Sequence, residues 1–166
     1  PNVGVVAVPD QRLDALAAIA CPSKVIPTAM AFVDIAGLVQ GASRGEGLGN
    51  QFLAHIREVD AIAHVVRCFE DPDVVHVDGR IDPLADIEVI DTELMLADLD
   101  TATRAVERAA KGAKSGDKDA RARLALYQRV QAALEEGQPV RTIALADTEA
   151  AMLRELHLLT AKPVMY

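Results

Sequence analysis

Asp34 and Gly37 lie three residues apart in Asp34-Ile35-Ala36-Gly37-Leu38, and a loop carrying Gly41, Gly45, Gly47 and Gly49 follows at once. The apolar run Ala29 to Val33 delivers the carboxylate to its end. The C-terminal ends of strands are where open α/β sheets bind ligands. The glycine-rich loop then feeds a predicted helix whose N-terminus could face a phosphate. Such a pairing suits a nucleoside triphosphate: Asp34 would hold Mg²⁺ through a water, and the Gly37 N–H would bond the γ-phosphate. Loss of that phosphate would then release the glycine-rich segment. D-x-x-G alone is a weak signal, and its plainer reading is a strand-ending turn with glycine at positive φ. No G-x-x-x-x-G-K-[ST] phosphate loop occurs in the 166 residues, so the expectation is the middle of an enzyme rather than a whole one.

The elements that must position these groups follow from periodicity. Gly4–Val8, Ala29–Ile35 and Ala61–Phe69 are nearly continuous in apolar residues, which predicts strands covered on both faces. Residues 10–20 place Leu13, Leu16, Ala17 and Ala20 at helical spacing before Pro22, and Leu48–Glu58 sets Phe52, Ile56 and Val59 on one face. Alternating strands and helices indicate an α/β layer. Pro83 then opens a long helical segment, Leu84–Ala113, with Ile87, Ile90, Leu94, Ala97, Thr101 and Ala105 recurring at threes and fours. Residues 112–117 break it. Lys118–Glu136 is helical again, with Leu124, Tyr127, Gln131 and Leu134 as the inner stripe, so the pair reads as an antiparallel hairpin. A further helix is predicted over Asp147–Thr160, capped by Asp147 or Thr148, and a strand begins at Lys162. The fold class expected is therefore α/β with an inserted α-helical hairpin.

Bulk composition narrows the function. Hydrophobic residues make up 51% and aromatics only 3%, so the core is to be built from Ala, Val, Leu and Ile. A net charge of −8 argues against a surface coated in nucleic acid, though not against a local basic patch. Cys21 and Cys68 lack metal-ligand spacing and read as two buried thiols in a reducing, cytoplasmic setting. No apolar run reaches the roughly 18 residues of a membrane span, and no signal peptide is visible, so no membrane role is expected. A start at Pro1 rather than Met suits a partial sequence.

Longer motifs make the reading specific. The stretch Phe32–Val39, then Gly41-Ala42-Ser43-Arg44-Gly45-Glu46-Gly47-Leu48-Gly49-Asn50-Gln51-Phe52-Leu53, resembles the switch II region of the YchF family, the Obg-like ATPases. Ile56-Arg57-Glu58, His64–Phe69, Asp86–Ile90, Thr92-Glu93-Leu94 and Leu96–Leu99 continue the resemblance along essentially the whole chain. It implies a P-loop nucleotidase domain with a helical hairpin inserted, ATP or GTP as substrate, Mg²⁺ as cofactor and β–γ phosphate hydrolysis. On this basis residues 1–80 are a partial nucleotidase domain lacking its first strand. Residues 81–145 are the hairpin insert, and residues 146–166 are the return helix and strand. The resemblance also implies that Leu38 stands where Ras-like GTPases carry a water-orienting glutamine. His76, in Asp73-Val74-Val75-His76-Val77-Asp78-Gly79, matches the histidine that would assist hydrolysis instead; an exposed loop histidine is the alternative.

The remaining candidates are weighed by place. His55 and His157 read as surface or interface residues, and His64, inside a predicted strand, as a core histidine. The series Glu88, Asp91, Glu93, Asp98 and Asp100 reads as the solvated face of the first hairpin helix rather than a metal site. Lys111, Lys114, Lys118, Arg121 and Arg123 cluster around the hairpin turn while its base is acidic. A positive tip suits phosphate backbones, such as those of ribosomal RNA; solvating lysines are the other reading. A competing view makes the hairpin an interaction module for RNA or protein, with the α/β part as its support.

Overall fold

The computed structural model describes residues 2–35, 48–71, 73, 81–114 and 117–166, and for residues 48–50 the backbone alone. The chain divides into two compact units, Pro1–Gly37 and Leu38–Tyr166. The first combines a two-stranded sheet with one helix and the second a two-stranded sheet with several, so the chain is α/β in class.

In the first unit, β1 (Asn2–Ala7) and β2 (Ala29–Asp34) pair antiparallel, from Asn2 opposite Asp34 to Ala7 opposite Ala29. Helix α1 (Gln11–Ala20) lies between them in sequence. Its N-cap is Asp10, whose carboxylate accepts the Arg12 N–H at 3.0 Å and is also gripped by the Arg12 guanidinium at 2.7–3.1 Å. The helix ends at Cys21, which adopts a left-handed φ of 44°. The apolar runs predict two buried strands, and neither is buried. Val5 is 69% exposed and Phe32 50% exposed. Two strands and a helix with no fully buried residue supply too little surface to cover two sheet faces. The apolar sequence thus records a demand for burial that this unit does not meet.

The second unit holds α2 (Leu48–Glu58), β3 (Ile62–Ala63), α3 (Pro83–Ala113), α4 (Lys118–Glu135), α5 (Asp147–Leu153) and β4 (Val164–Met165). Strand β3 pairs parallel with β4, through Ile62 N–H to Pro163 O and His64 N–H to Met165 O at 2.9 and 2.8 Å. Of the predicted strand Ala61–Phe69, only Ile62–Ala63 pairs, opposite Val164–Met165. Beyond it the chain curls around Arg67, whose guanidinium donates to Phe69 O and Asp71 O and stacks 5.1 Å over the Phe69 ring.

Helices α3 and α4 form the expected antiparallel hairpin: Gln131 reaches Thr103, and a Cβ on Gly112 would meet Ala120 at 3.7 Å. Pro83 opens α3 with Asp82 as N-cap, accepting from the Ala85 N–H at 3.2 Å. Asp117 caps α4 in the same way through the Asp119 N–H. Past α4, Gly137 takes φ +74°, the left-handed position after a helix that glycine fills without strain. Small residues on α3, Ala102 and Ala105, let α4 approach closely and pack Leu126, Tyr127, Val130 and Leu134 between the helices. The α4 stripe therefore centres on Leu126 and Val130, while Leu124 and Gln131 are only half-buried.

The predicted helix Asp147–Thr160 breaks after Leu153 into two short 3-10 turns, Arg154–Leu156 and Leu159–Ala161, with His157 left-handed at φ 48° between them. Its N-cap is Ala146, not Asp147 or Thr148, and Glu149 accepts the Ala146 N–H at 2.9 Å. Cys21 and Cys68 are both exposed rather than buried: Cys21 follows α1, which has no buried residue, and Cys68 lies in irregular chain beyond β3. Among the described residues, no helix is long and apolar enough to cross a membrane.

Candidate functional site

Asp34 is the last residue of β2, exposed at the C-terminal end of the strand and opposite Asn2 in the ladder. The strand holds its backbone extended, so the carboxylate stands at a sheet end, open to solvent. Gly37, Leu38 and His76, the other residues predicted to meet the terminal phosphate, lie outside the described residues, as does most of the glycine-rich loop. Mg²⁺ binds oxygen donors, keeps several waters and takes only one or two carboxylates when a substrate phosphate supplies the rest. An exposed carboxylate at a strand end fits that habit. Among the described residues no group of three or more His, Cys, Asp or Glu gathers into an all-protein cage.

The basic residues of the hairpin occupy the last turn of α3 and the first turns of α4. Lys111, Lys114, Lys118, Arg121 and Arg123 are all exposed. Lys111 also sits at the C-terminal end of α3, where a cation is favoured by the helix dipole. Asp117 and Asp119 stand among them, so the tip is mixed rather than uniformly positive. Arg123 lies 3.9 Å from Glu155 and faces a hollow of about 590 Å³ beneath the tip, whose walls include Ala105, Arg108, Tyr127 and Leu156. Tyr127 is buried there with its hydroxyl donating to Glu155. Burial, reinforced by the bond to that carboxylate, pushes the phenol up to about 12.

His55 is half-buried on α2, and His157 is exposed at its left-handed turn. His64 is half-buried rather than core, with its ring 5.8 Å from that of Tyr166. The acidic series on α3 is not one solvated face. Glu88 and Asp100 are exposed, and Asp100 pairs with Arg104. Asp91 accepts from the Tyr166 hydroxyl at 3.2 Å and lies 3.5 Å from Arg141. Glu93 and Asp98 are buried, Asp98 completely.

Asp98 is the residue that sequence reasoning misplaces most. Its carboxylate accepts the Leu159 N–H at 2.8 Å, the Thr160 N–H at 2.7 Å and the Thr160 hydroxyl at 2.7 Å. A signal for this exists in the spacing: Asp98 lies four residues from both Leu94 and Ala102, on the buried stripe itself. Burial pushes its carboxyl above the usual range, and the donors from Thr160 and Leu159 oppose that push.

The comparisons with known proteins agree with one another. A family model described as a 50S ribosome-binding GTPase matches residues 21–97. The ribosome-binding ATPase YchF of Haemophilus ducreyi is 58% identical over 166 residues, covering 100% of this chain and 46% of that protein. The proteins of the same name from Escherichia coli O157:H7 and Bacillus subtilis are 57% and 49% identical over the same 166 residues, covering 46% and 45% of those proteins. The solved structure of the Schizosaccharomyces pombe YchF GTPase superposes with a TM-score of 0.79 at 39% identity, covering 100% of this chain and 46% of that one. The chain thus spans about half the length of the curated relatives it matches. Similarity at this level along every part of the sequence makes the chain homologous to about half the length of YchF-family proteins.

Proposed function

We propose that these residues form the γ-phosphate side of a P-loop nucleotidase that hydrolyses ATP or GTP. Residues 1–80 contribute part of its sheet, residues 81–145 the inserted hairpin and residues 146–166 the return to the sheet. The observation that carries this reading is the 58% identity to a ribosome-binding ATPase over the whole chain, the Asp34–Gly49 segment included. The exposed carboxylate of Asp34 at the end of β2 supports it.

In this reading Asp34 holds Mg²⁺ through a water, and the Gly37 N–H senses the γ-phosphate. Mg²⁺, when bound, would neutralise charge on the phosphate oxygens. Leu38 has no hydrogen-bonding atom with which to orient the attacking water, so His76 takes that role. The apolar faces of β1 and β2 are then sheet surface awaiting the remainder of a nucleotidase layer. The cytoplasm is the compartment in which ribosome-linked hydrolysis of this kind takes place.

Because the 166 residues hold no phosphate loop to cradle the α- and β-phosphates, they bind nucleotide weakly by themselves. Titration with a fluorescent ATP analogue is the test. The full-length gene product should bind and the 166-residue chain should not. Micromolar affinity for the 166-residue chain defeats the division of the site, and no binding by the full-length product defeats the nucleotidase reading.

A second reading, the hairpin as a binding module, is favoured by the five exposed basic side chains around its turn. Replacing Lys111, Lys114 and Lys118 by glutamine should weaken ribosome association. It should also flatten the slope of log K against log salt by roughly 2–3, since each phosphate neutralised by a lysine accounts for about 0.7–0.9 of that slope. An unchanged slope leaves the tip without a phosphate-binding role.

A further inference from the structure

The second unit contains a chain of polar contacts that the hydrolysis chemistry does not use. It runs from the end of α2 to the middle of α3. The Lys162 ammonium donates to Arg57 O at 3.1 Å and to Val59 O, so it caps the last carbonyls of α2. The Lys162 N–H in turn bonds Leu159 O at 3.2 Å, tying it into the Leu159–Ala161 turn. That turn is held by Asp98 of α3 through three donors, and the Thr160 hydroxyl also accepts the Val140 N–H at 3.1 Å. Leu53 and Ile56 bury the inner face of α2, and the Arg57 guanidinium lies 3.5 Å from Thr101, within one turn of Asp98.

The character of this connection matters more than its length. Apolar side chains can slide over one another by fractions of an ångström at small cost. A fully buried carboxylate cannot, because any slip strands a charge and three donors away from water. Its contact with the Leu159–Thr160 turn is therefore made or broken, with no compliant state between. Lys162 binds the same turn to the carbonyl end of α2, the helix that directly follows the glycine-rich segment.

We propose that Asp98 and Thr160 form a rigid joint between the helical hairpin and the α2–β3–β4 part of the fold, so that a displacement of α2 is carried into α3. What would displace α2 is supplied by the nucleotide-switch reading above, and to that extent the inference rests on it.

Amide hydrogen exchange on the full-length gene product tests the joint in two arms. In the first, Asp98→Asn is compared with the parent without nucleotide. The amides of residues 159–162, 164 and 165, of Ile62 and His64, and of the last turn of α2 should exchange about tenfold faster or more, the scale of losing a hydrogen bond to a charged group. Amides of Val130 and Leu134, in the hairpin core, should not change. Equal acceleration in both regions, or none in either, overturns the joint. If Asp98→Asn does not fold, Thr160→Val keeps the shape, removes one of the three donors to Asp98 together with the acceptor of the Val140 N–H, and is read by the same criterion.

In the second arm a non-hydrolysable ATP analogue replaces ADP. Protection along α3 should shift in the parent, and Thr160→Val should abolish the shift at unchanged nucleotide affinity. A shift that survives the substitution overturns the joint. A product that binds neither nucleotide overturns the nucleotidase reading instead, and the joint is then decided by the first arm.

Discussion

Replacing His76 by alanine in the full-length gene product should lower kcat for ATP hydrolysis by about 10²–10⁴-fold, roughly 3–5 kcal/mol of barrier, the usual worth of a group that positions or deprotonates an attacking water. The reason lies in Leu38. In the proposed reading Leu38 stands beside the γ-phosphate, where a leucine side chain can neither donate nor accept, so the water is to be oriented from elsewhere, and an imidazole such as that of His76 has a ring nitrogen for the task. Nucleotide affinity should stay close to that of the parent, because a water-positioning group acts on the transition state more than on the bound triphosphate. Asp34→Ala differs in kind: it should lower kcat and also weaken the dependence of nucleotide binding on Mg²⁺. Steady-state kinetics with a parallel binding titration separates the two. Unchanged kcat in His76→Ala returns that residue to the status of an exposed loop histidine, and unchanged kcat in Asp34→Ala removes the carboxylate from the site.

Asp98→Ala should destabilise the protein by about 3–5 kcal/mol, the scale of breaking a buried charged pair from one side. Two main-chain N–H groups and one hydroxyl lose their acceptor in a place water does not reach. Against a total stability of order 5–15 kcal/mol, that is a large fraction. Asp98→Asn should cost less, since one amide oxygen still accepts while the amide nitrogen confronts a donor. Urea denaturation of the three proteins measures both, and a loss under about 1 kcal/mol in Asp98→Ala would mean that the turn finds other acceptors. The pH dependence has a definite sign. Burial raises the folded-state carboxyl above its ordinary 3.8, so the folded protein holds that proton more tightly than the unfolded chain. The contribution of Asp98 is therefore greatest below 3.8 and declines as pH rises through the elevated value. The stability of the parent relative to Asp98→Asn should fall across that window, opposite to the behaviour of a carboxylate held by a salt bridge.

Local rules make much of this fold legible. The hairpin helices appear within a residue or two of where threes-and-fours spacing, Pro83 and the Gly112–Asp117 break put them. Each forms because its own stripe is buried against the other. Helix α2 and the placing of a strand at Val164 are legible for the same reason. What is not legible depends on partners distant in sequence. Nothing between Asp147 and Thr160 is a glycine or proline, so local propensity predicts one helix. The break at His157 arises because Asp98, some sixty residues earlier, takes the N–H groups of Leu159 and Thr160 that a helix would have used. Continuous apolar runs likewise state that a strand prefers cover on both faces, not that its own unit provides it, and β1 and β2 show the difference. Of the candidate site, the placing of Asp34 at a strand end is readable from Ala29–Val33, because an apolar run followed by an acid marks where a strand leaves the core.

Helix α3 continues for fifteen residues past Asp98, from Leu99 to Ala113, which is about 23 Å at 1.5 Å per residue. An arm of that length, pivoting at the carboxylate, multiplies small angles. A tilt of about 10° there sweeps the lysine-bearing end through about 4 Å, enough to make or miss a hydrogen bond with whatever the tip touches. On the proposed joint, the long helix is an amplifier whose fulcrum is a fully buried carboxylate.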